Sequence, residues 1–243
     1  MKTTKSALSY IPVYIAGVII AFLLLTLRIL GIWKIEGIEN IPPPEKWSDR
    51  GLVIVSNHPS LLEPIMLVGL FARWYLIQPK YGPWNVAETR NFRRGLFRFM
   101  APRMLLTSRE NVSSGRHILH EMFTLLRTGA IIIFFPEGGR TYRGKEMDLV
   151  KGKNDRKVRQ FKNGIGLVAL ETNCVLIPVW VAGTDKVSPN RDDARYSWLP
   201  RLWKPVKISI GKQLTFLNCT SGHHDTARIE EVTRAIENAV LNA

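Results

Sequence analysis

Short, fully apolar runs alternate along this chain with longer segments whose apolar residues recur at helical spacing. Runs rich in β-branched residues and bounded by turn residues predict buried strands, and the helical spacing predicts amphipathic helices. The predicted strands are 52–56, 74–78, 103–107, 130–135, 175–181 and 206–210, and the predicted helices are 61–71, 114–127, 158–171 and 226–241. Strands alternating with helices predict an α/β fold with a mixed, mostly parallel sheet flanked by helices.

The N-terminal segment is the most apolar part of the chain. No residue in the range 11–27 is charged, and the apolar character continues beyond Arg28 to Trp33. A membrane-spanning helix needs about 20 apolar residues. The segment can therefore span once if Arg28 snorkels to the headgroups, or it can bend and lie partly buried in one leaflet. We expect residues 1–34 to form a hydrophobic membrane-anchoring helix and residues 35–243 to form the main domain.

The charge of the chain predicts an anionic partner. The formal net charge is +14, which biases a protein towards nucleic acid, an anionic membrane surface or phosphorylated ligands. Because the N-terminal segment is apolar and no nucleic-acid-binding motif is present, we expect membrane lipid and no nucleic acid as the partner. The basic remainder follows the apolar segment, so the positive-inside bias favours the cytoplasmic membrane with the domain on its cytoplasmic face.

The remaining composition indicates a single domain without a disulfide framework. At 243 residues the chain is long enough for one α/β domain but short for two. Cys174 and Cys219 show no metal-ligand spacing, and Cys174 lies in an apolar run typical of a buried thiol. The segment 36–50 carries three consecutive prolines and mixed charges, which predicts a linker between the anchor and the domain.

A histidine and a glutamate follow the first predicted strand. His58 and Glu63 are five residues apart in Asn-His-Pro-Ser-Leu-Leu-Glu-Pro. An imidazole can remove a proton from an attacking alcohol, and a carboxylate that accepts from the other ring N–H fixes its tautomer. The structural alternative is a hydrogen-bonding histidine at a helix entry beside a solvated glutamate. No second histidine lies at ligand spacing, so we expect no metal site.

A glycine-rich turn follows the predicted strand 130–135. It reads Glu137-Gly138-Gly139-Arg140-Thr141. Backbone N–H groups can approach an anion here without a Cβ in the way, and the Arg140 guanidinium matches a phosphate. Arg109, after the strand 103–107, offers a second guanidinium or pairs with Glu110 at the surface. Taken alone, each feature is also compatible with a structural role.

Together, these segments resemble the glycerolipid acyltransferase family, which includes bacterial 1-acyl-glycerol-3-phosphate acyltransferases. The blocks that carry the resemblance, in family order, are 57–64, 105–109, 135–141, 161–164 and 175–181. The first is similar to the family's His-x4-Asp motif, and the third to its Phe-Pro-Glu-Gly-x-Arg-Ser block. Arg109 falls where the family carries a substrate-binding arginine. The last two are similar to a lysine–glycine step and to an apolar block that contains a proline.

Two features depart from the family pattern. Glu63 stands where the glycerophospholipid enzymes usually carry aspartate, and it is one methylene longer; related lipid A acyltransferases accept either acid. The stretch 142–160 is longer and more basic than the usual connection. We interpret it as a solvated flexible loop, with a clamp on anionic headgroups or donor phosphates as the functional alternative.

The resemblance implies direct acyl transfer without a metal or redox cofactor. His58 would deprotonate the free hydroxyl of a lysophospholipid acceptor, which attacks the thioester of acyl-CoA or acyl-carrier protein, while Glu63 orients His58. The predicted substrate-binding residues are Arg109, Glu137, Gly138, Gly139 and Arg140. Backbone donors near Gly138 or near Ile177 and Pro178 would stabilise the oxyanion.

Two other functions remain open at this stage. The same transfer could act on glycerol 3-phosphate, a lyso-ornithine lipid or a glycolipid, since the motifs do not define the whole headgroup. A membrane-tethered module that binds anionic lipid without catalysis is the alternative of another class. It predicts that function depends on the basic run 151–159 and not on His58.

Overall fold

Seven strands form one sheet with helices on both faces in the computed structural model of the chain. The structure describes residues 11–88, 102–107, 112–142, 149–188, 200–216 and 225–243. A separate two-stranded hairpin lies outside the sheet. The predicted α/β fold with a mixed, mostly parallel sheet is confirmed.

The elements follow one another in an alternating order. The helices are α1 (Ile11–Ile29), α2 (Glu63–Gly69), α3 (Ala72–Tyr75), α4 (Val112–Leu126), α5 (Gly164–Thr172), α6 (Thr184–Val187) and α7 (Thr226–Leu241). The strands are β1 (Trp33–Glu36), β2 (Leu52–Ser56), β3 (Trp84–Glu88), β4 (Met104–Thr107), β5 (Ile131–Phe134), β6 (Leu149–Lys151), β7 (Lys157–Arg159), β8 (Val175–Ala182) and β9 (Val206–Ile210). Short 3₁₀ helices lie at Ile38–Asn40, Pro44–Lys46, Pro79–Tyr81 and Lys153–Asp155.

The strand order brings the two predicted motifs to one edge of the sheet. The order is β1-β9-β8-β2-β5-β3-β4, and every pair is parallel except β8 with β9. Strand β2 lies between β8 and β5, with Val55 opposite both Pro178 and Phe134. Because the carboxyl ends of parallel strands meet at the same edge, the residues that follow β2 and β5 become neighbours there.

Two hydrophobic cores cover the faces of the sheet. Ile54, Ile133 and Ile177 point to the face covered by α1, α2 and α3. The alternate residues of these strands point to the face covered by α4, α5 and α7. Since both faces are buried, the central strands are continuous apolar runs, which explains why the sequence pattern identifies them.

The interpretation of residues 36–50 as a linker is wrong. Two 3₁₀ helices occupy part of the segment, and the Trp47 side chain is fully buried. The indole Nε1 of Trp47 donates to the Pro42 carbonyl at 2.9 Å, and its ring packs edge-on against Tyr81. The segment is thus part of the core on the α1 side. The prolines stabilise its turns instead of separating two units.

Two predicted elements differ from those observed. Residues 74–78 are not a strand, because Trp74 lies in α3 and the Gln78 N–H donates to its carbonyl. The helix predicted at 158–171 begins only at Gly164. The N–H groups of Arg159 and Phe161 donate to the side chains of Glu137 and Glu237 instead of entering a helix.

The N-terminal helix α1 packs on the domain instead of standing apart from it. A Cβ on Gly69 of α2 would lie 2.3 Å from Leu24, and a Cβ on Gly17 would lie 2.6 Å from the Tyr75 hydroxyl, so both glycines allow close approach. The proposed boundary at residue 34 falls inside β1, which pairs with β9. Within the residues described, no helix has the length and apolarity required to cross a membrane.

Candidate active site

The side chains of His58 and Glu63 meet at the carboxyl end of β2. Nδ1 of His58 lies 2.9 Å from Oε2 of Glu63. Glu63 is the first residue of α2 and is fully buried, whereas 13% of the His58 side chain is exposed. The additional methylene of glutamate therefore does not prevent contact with the imidazole. This contact favours the tautomer that carries its proton on Nδ1 and leaves the Nε2 lone pair available.

Ser60 holds the Glu63 carboxylate in place. Its backbone N–H lies 3.1 Å from Oε1 and 3.0 Å from Oε2, and its hydroxyl donates to Oε1 at 2.8 Å. The Leu62 N–H donates back to the Ser60 hydroxyl. These contacts show that Ser60 orients the acid, and its position three residues before Glu63 is the sequence signal for this role.

The position of His58 is fixed from three directions. Its ring stacks on Phe135, with centroids 4.5 Å apart. The preceding residue, Asn57, is buried and exchanges two 2.8 Å hydrogen bonds with the Val181 backbone on β8. The Thr141 N–H donates to the His58 carbonyl at 2.8 Å. Among the described residues none is hydrogen-bonded to His58 Nε2, so this nitrogen is the one placed to meet a substrate.

Glu137 connects the histidine turn to the glycine-rich turn. Its Oε1 accepts from the His58 N–H and from the Thr141 hydroxyl, both at 2.8 Å. Its Oε2 accepts from the Arg159 N–H at 2.8 Å. Both oxygens thus bind the protein itself, which makes Glu137 a structural link. Its predicted contact with the acceptor stays a prediction.

Burial raises the pKa of the Glu137 carboxyl to about 7, even though hydrogen bonds from Arg159, Thr141 and His58 act to lower it. Desolvation of the charged form is the larger effect because the group lies inside the protein. This carboxyl therefore changes charge near neutral pH, next to the candidate base.

The glycine-rich turn lies beside His58. Gly138 has φ of +66°, and its N–H donates to the Phe135 carbonyl. A Cβ at Gly138 would lie 2.8 Å from Nζ of Lys162, so the lysine side chain runs across the turn. Arg140 is half-buried and lies next to Thr141. The hydrogen bonds that Glu137 and Thr141 form with His58 thus place the glycine-rich turn next to it, and the roles of Gly138, Gly139 and Arg140 stay predictions.

Two of the predicted features have a different outcome. Arg109 lies outside the described residues, which resume at residue 112 after β4 ends at Thr107. Ile177 and Pro178, one alternative for the oxyanion donors, lie within the central ladder of β8 and not at its carboxyl end. Gly138 follows β5 at its carboxyl end, and the location of the oxyanion donors stays a prediction.

The part of the basic stretch that the structure describes is a hairpin and not a flexible loop. Strands β6 and β7 pair antiparallel, with Val150 opposite Val158. Arg156 packs 5.0 Å above the Trp180 ring and donates to the Leu241 carbonyl at 3.0 Å. These contacts fix the hairpin to β8 and α7. The Arg159 N–H of β7 also donates to Glu137, so the hairpin contacts the glycine-rich turn.

The comparison with protein families agrees with this geometry. A family model described as Acyltransferase matches residues 33–182, which run from β1 to the end of β8 and include both motifs. The chain belongs to the Acyltransferase family. The resemblance predicted from the motifs is confirmed.

Curated relatives come from photosynthetic organisms. The chain is 29% identical over 167 residues to a 1-acyl-sn-glycerol-3-phosphate acyltransferase of Chlamydomonas reinhardtii, covering 66% of this chain and 42% of that protein. It is 30% identical over 156 residues to a chloroplastic 1-acyl-sn-glycerol-3-phosphate acyltransferase of Arabidopsis thaliana, covering 64% and 37%. The chain thus matches about two fifths of the length of these relatives.

A solved structure shares the fold. The 1-acyl-sn-glycerophosphate (LPA) acyltransferase PlsC of Thermotoga maritima aligns with a TM-score of 0.54 and 20% identity. The alignment covers 86% of this chain and 70% of that chain. At this identity the similarity establishes the fold, with its mostly parallel sheet, and not the substrate.

Proposed function

We propose that the chain transfers a fatty acyl group from acyl-CoA or acyl-carrier protein to the free hydroxyl of 1-acyl-glycerol-3-phosphate, which forms phosphatidic acid. The observation that carries this proposal is the His58–Glu63 pair, 2.9 Å apart, at the sheet edge next to the glycine-rich turn. The family membership and the activity for which the similar proteins are named support the same reaction.

The reaction begins with proton removal. Nε2 of His58 accepts the proton of the acceptor hydroxyl while the hydroxyl oxygen bonds to the thioester carbonyl carbon. The Glu63 carboxylate stabilises the imidazolium that forms. The tetrahedral intermediate then breaks its carbon–sulfur bond, and the imidazolium returns its proton to the departing thiolate. The products are the new ester and a free thiol, and the base is regenerated.

The glycine-rich turn is suited to the acceptor phosphate. Arg140 offers a forked donor, and Lys162 brings a second cation across Gly138. Backbone N–H groups of this turn are also the candidates for stabilising the oxyanion. Arg109, predicted from the family resemblance, would add a second guanidinium. These assignments are part of the proposal.

We also propose that α1 attaches the chain to one leaflet of the cytoplasmic membrane, with the domain on its cytoplasmic face. The exposed side of α1 supports the attachment to lipid. Phe22 and Ile29 are 71% and 76% exposed, and Ile19 and Leu25 are also exposed. A contiguous exposed apolar surface is typical of an interaction site. A helix with such a surface can lie in the plane of the membrane with its apolar side buried among the lipids. This arrangement would bring the active site to acceptors that reside in the bilayer.

The acceptor is tested by offering the purified chain one labelled acyl-CoA with 1-acyl-glycerol-3-phosphate, glycerol 3-phosphate, a lyso-ornithine lipid or a glycolipid. The proposal predicts labelled phosphatidic acid as the dominant product by mass spectrometry. If only another acceptor gives a labelled product, the proposed acyl transfer is kept and 1-acyl-glycerol-3-phosphate is rejected as the acceptor. The same panel is repeated with acyl-carrier protein to identify the donor.

A further inference from the structure

A cavity of about 410 Å³ lies between α1, the α2–α3 region and the edge of the sheet formed by β3 and β4. This volume falls within the range of small-molecule sites. Tyr14, Gly17, Val68 and Met104 contribute to its largely apolar wall, and Tyr75 and Asn85 line it as well. None of the residues that we predicted for catalysis lines this cavity.

Two buried polar atoms on residues that line the cavity lack a partner. Tyr75 is 3% exposed and Asn85 is 1% exposed. Within the described part of the chain, neither the Tyr75 hydroxyl nor the Asn85 Oδ1 has a hydrogen-bond partner. Buried polar groups are nearly always paired, so two orphans beside one apolar cavity require an explanation. A ligand that carries its own polar group would supply the missing bonds.

A neighbouring tyrosine, Tyr14, shows that a hydroxyl in this region can find a hydrogen-bond partner in the protein, whereas the Tyr75 hydroxyl does not. Tyr14 also lines the cavity and packs edge-on against Tyr75, with centroids 5.9 Å apart. Its hydroxyl donates to the Leu76 carbonyl at 2.6 Å. Burial, with a smaller contribution from Tyr14, raises the pKa of Tyr75 to about 12. The Tyr75 hydroxyl therefore stays protonated and can both donate and accept.

The cavity lies on the same face of the sheet as the His58 ring. Asn85 pairs in register with Ile133, and Phe135, which stacks on His58, follows two residues later. This separation is about 7 Å along a strand. Ile133 and Phe135 belong to the same core. An acyl chain attached at His58 would therefore have to extend by several carbons along this face to reach Asn85.

We propose that this cavity holds a substrate acyl chain and that Tyr75 and Asn85 select chains that carry a hydroxyl or another oxygen substituent. A chain hydroxyl can donate to Asn85 Oδ1 and accept from the Tyr75 hydroxyl, whereas a plain chain leaves both groups unpaired. Sites built to hydrogen-bond a hydroxyl discriminate against analogues that lack it. The inference rests on the proposed function and refines its substrate class.

The test compares plain acyl chains with chains of equal length that carry one hydroxyl at successive positions. The chains are presented first on acyl-CoA with an unsubstituted acceptor, and then on the acceptor with an unsubstituted donor. We expect kcat/KM to favour at least one hydroxylated isomer by about tenfold, as for one additional buried hydrogen bond. Preference in the donor series assigns the cavity to the donor chain, and preference in the acceptor series assigns it to the acceptor chain.

Three variants separate recognition from stability. Tyr75→Phe and Asn85→Leu should each reduce the preference towards unity while transfer of plain chains continues. Tyr14→Phe, the matched control, should keep the preference because its hydroxyl already has a protein partner. Because Tyr75→Phe removes an unpaired hydroxyl, the melting temperature of this variant should not fall. It is therefore expected to be a folded test protein.

Two results would overturn the inference. One is equal kcat/KM for plain and hydroxylated chains at every position; the other is a preference that Tyr75→Phe leaves unchanged. A separate binding experiment, in which free hydroxylated and plain fatty acids displace a fluorescent fatty acid, requires no turnover. Absence of transfer with every chain, together with Tyr75-dependent binding, would reject the proposed function and retain the site.

Discussion

The backbone N–H of His58 donates to Oε1 of Glu137 at 2.8 Å, which connects two motifs that lie 79 residues apart in the chain. The link is possible because β2 and β5 are adjacent and parallel, so both motifs emerge at the same edge. Two acids therefore hold the candidate base. Glu137 binds the backbone N–H of His58, and Glu63 binds the imidazole ring of His58.

Replacing Glu63 with glutamine should reduce kcat by about 10³- to 10⁴-fold, because the amide cannot stabilise the imidazolium and can impose the wrong tautomer. KM should change little, since Glu63 is buried and does not face the substrate. Steady-state kinetics on the folded variant provide the measurement. Glu63→Asp, which keeps a carboxylate, is the control and should lose less. Near-normal kcat in Glu63→Gln would contradict the orienting role.

Glu137 should make stability depend on pH near neutrality. Its pKa is raised from 4.5 to about 7 in the folded chain, so folding favours the protonated carboxyl. The stabilisation relative to the charged form is complete below the unfolded pKa and is lost as pH rises through about 7. Between pH 5 and pH 8, the free energy of unfolding of the wild type should therefore fall by about 3 kcal/mol relative to that of Glu137→Gln. The melting temperature of the wild type should fall accordingly.

Denaturation curves of both proteins across this range test the prediction, and only the difference in slope with pH is compared. This comparison removes the change in stability, independent of pH, that results from placing the glutamine amide of the variant against the Arg159 N–H. Parallel curves for the two proteins would show that Glu137 does not titrate in this range.

Gly138→Ala should destabilise the chain by about 1–2 kcal/mol, because φ is +66° and a non-glycine residue is strained there. It should also displace Lys162, whose Nζ lies near the added Cβ, and thereby raise KM for the acceptor. Gly31→Ala is the matched control, with φ of +69° and no neighbour within 4 Å. The control should show similar destabilisation and an unchanged KM. Equal KM in both variants would exclude the phosphate role of this turn.

Adding charge to the exposed side of α1 should weaken membrane binding. The double substitution Phe22→Glu and Ile29→Glu places two carboxylates on side chains that are 71% and 76% exposed, so folding should be preserved. We expect most of the variant to remain unbound in a vesicle flotation assay with anionic lipid. Asn238→Glu, at an exposed position of α7, is the control and should float like the wild type. Equal flotation of all three proteins would reject the proposed attachment surface.

The sequence predicts best those parts of the fold whose local pattern agrees with their environment. Strand β9 and helix α7 were predicted with their observed bounds, because a buried strand and an amphipathic surface helix have distinct periodicities. The segment 74–78 was predicted as a strand from its aromatic and β-branched residues. Packing of Trp74 against Trp47 holds it in helical turns, so tertiary contacts override its propensity.

Strand β1 was not predicted, because it has only four residues, two of them charged, and its partner β9 is distant in sequence. For the candidate site, the spacing of His58 and Glu63 predicted their contact, since five residues bridge a strand end and the first turn of a helix. The contacts of Glu137 with Arg159, and of Ser60 with Glu63, depend on backbone N–H groups that the sequence pattern does not reveal.

The central claim is that His58 is the base of an acyl transfer. The most direct measurement is thiol release from acyl-CoA by the purified chain, with and without 1-acyl-glycerol-3-phosphate, for the wild type and His58→Ala. The account predicts release that requires the acceptor and disappears in the folded His58→Ala variant. Acceptor-dependent release at the wild-type rate in that variant would contradict it.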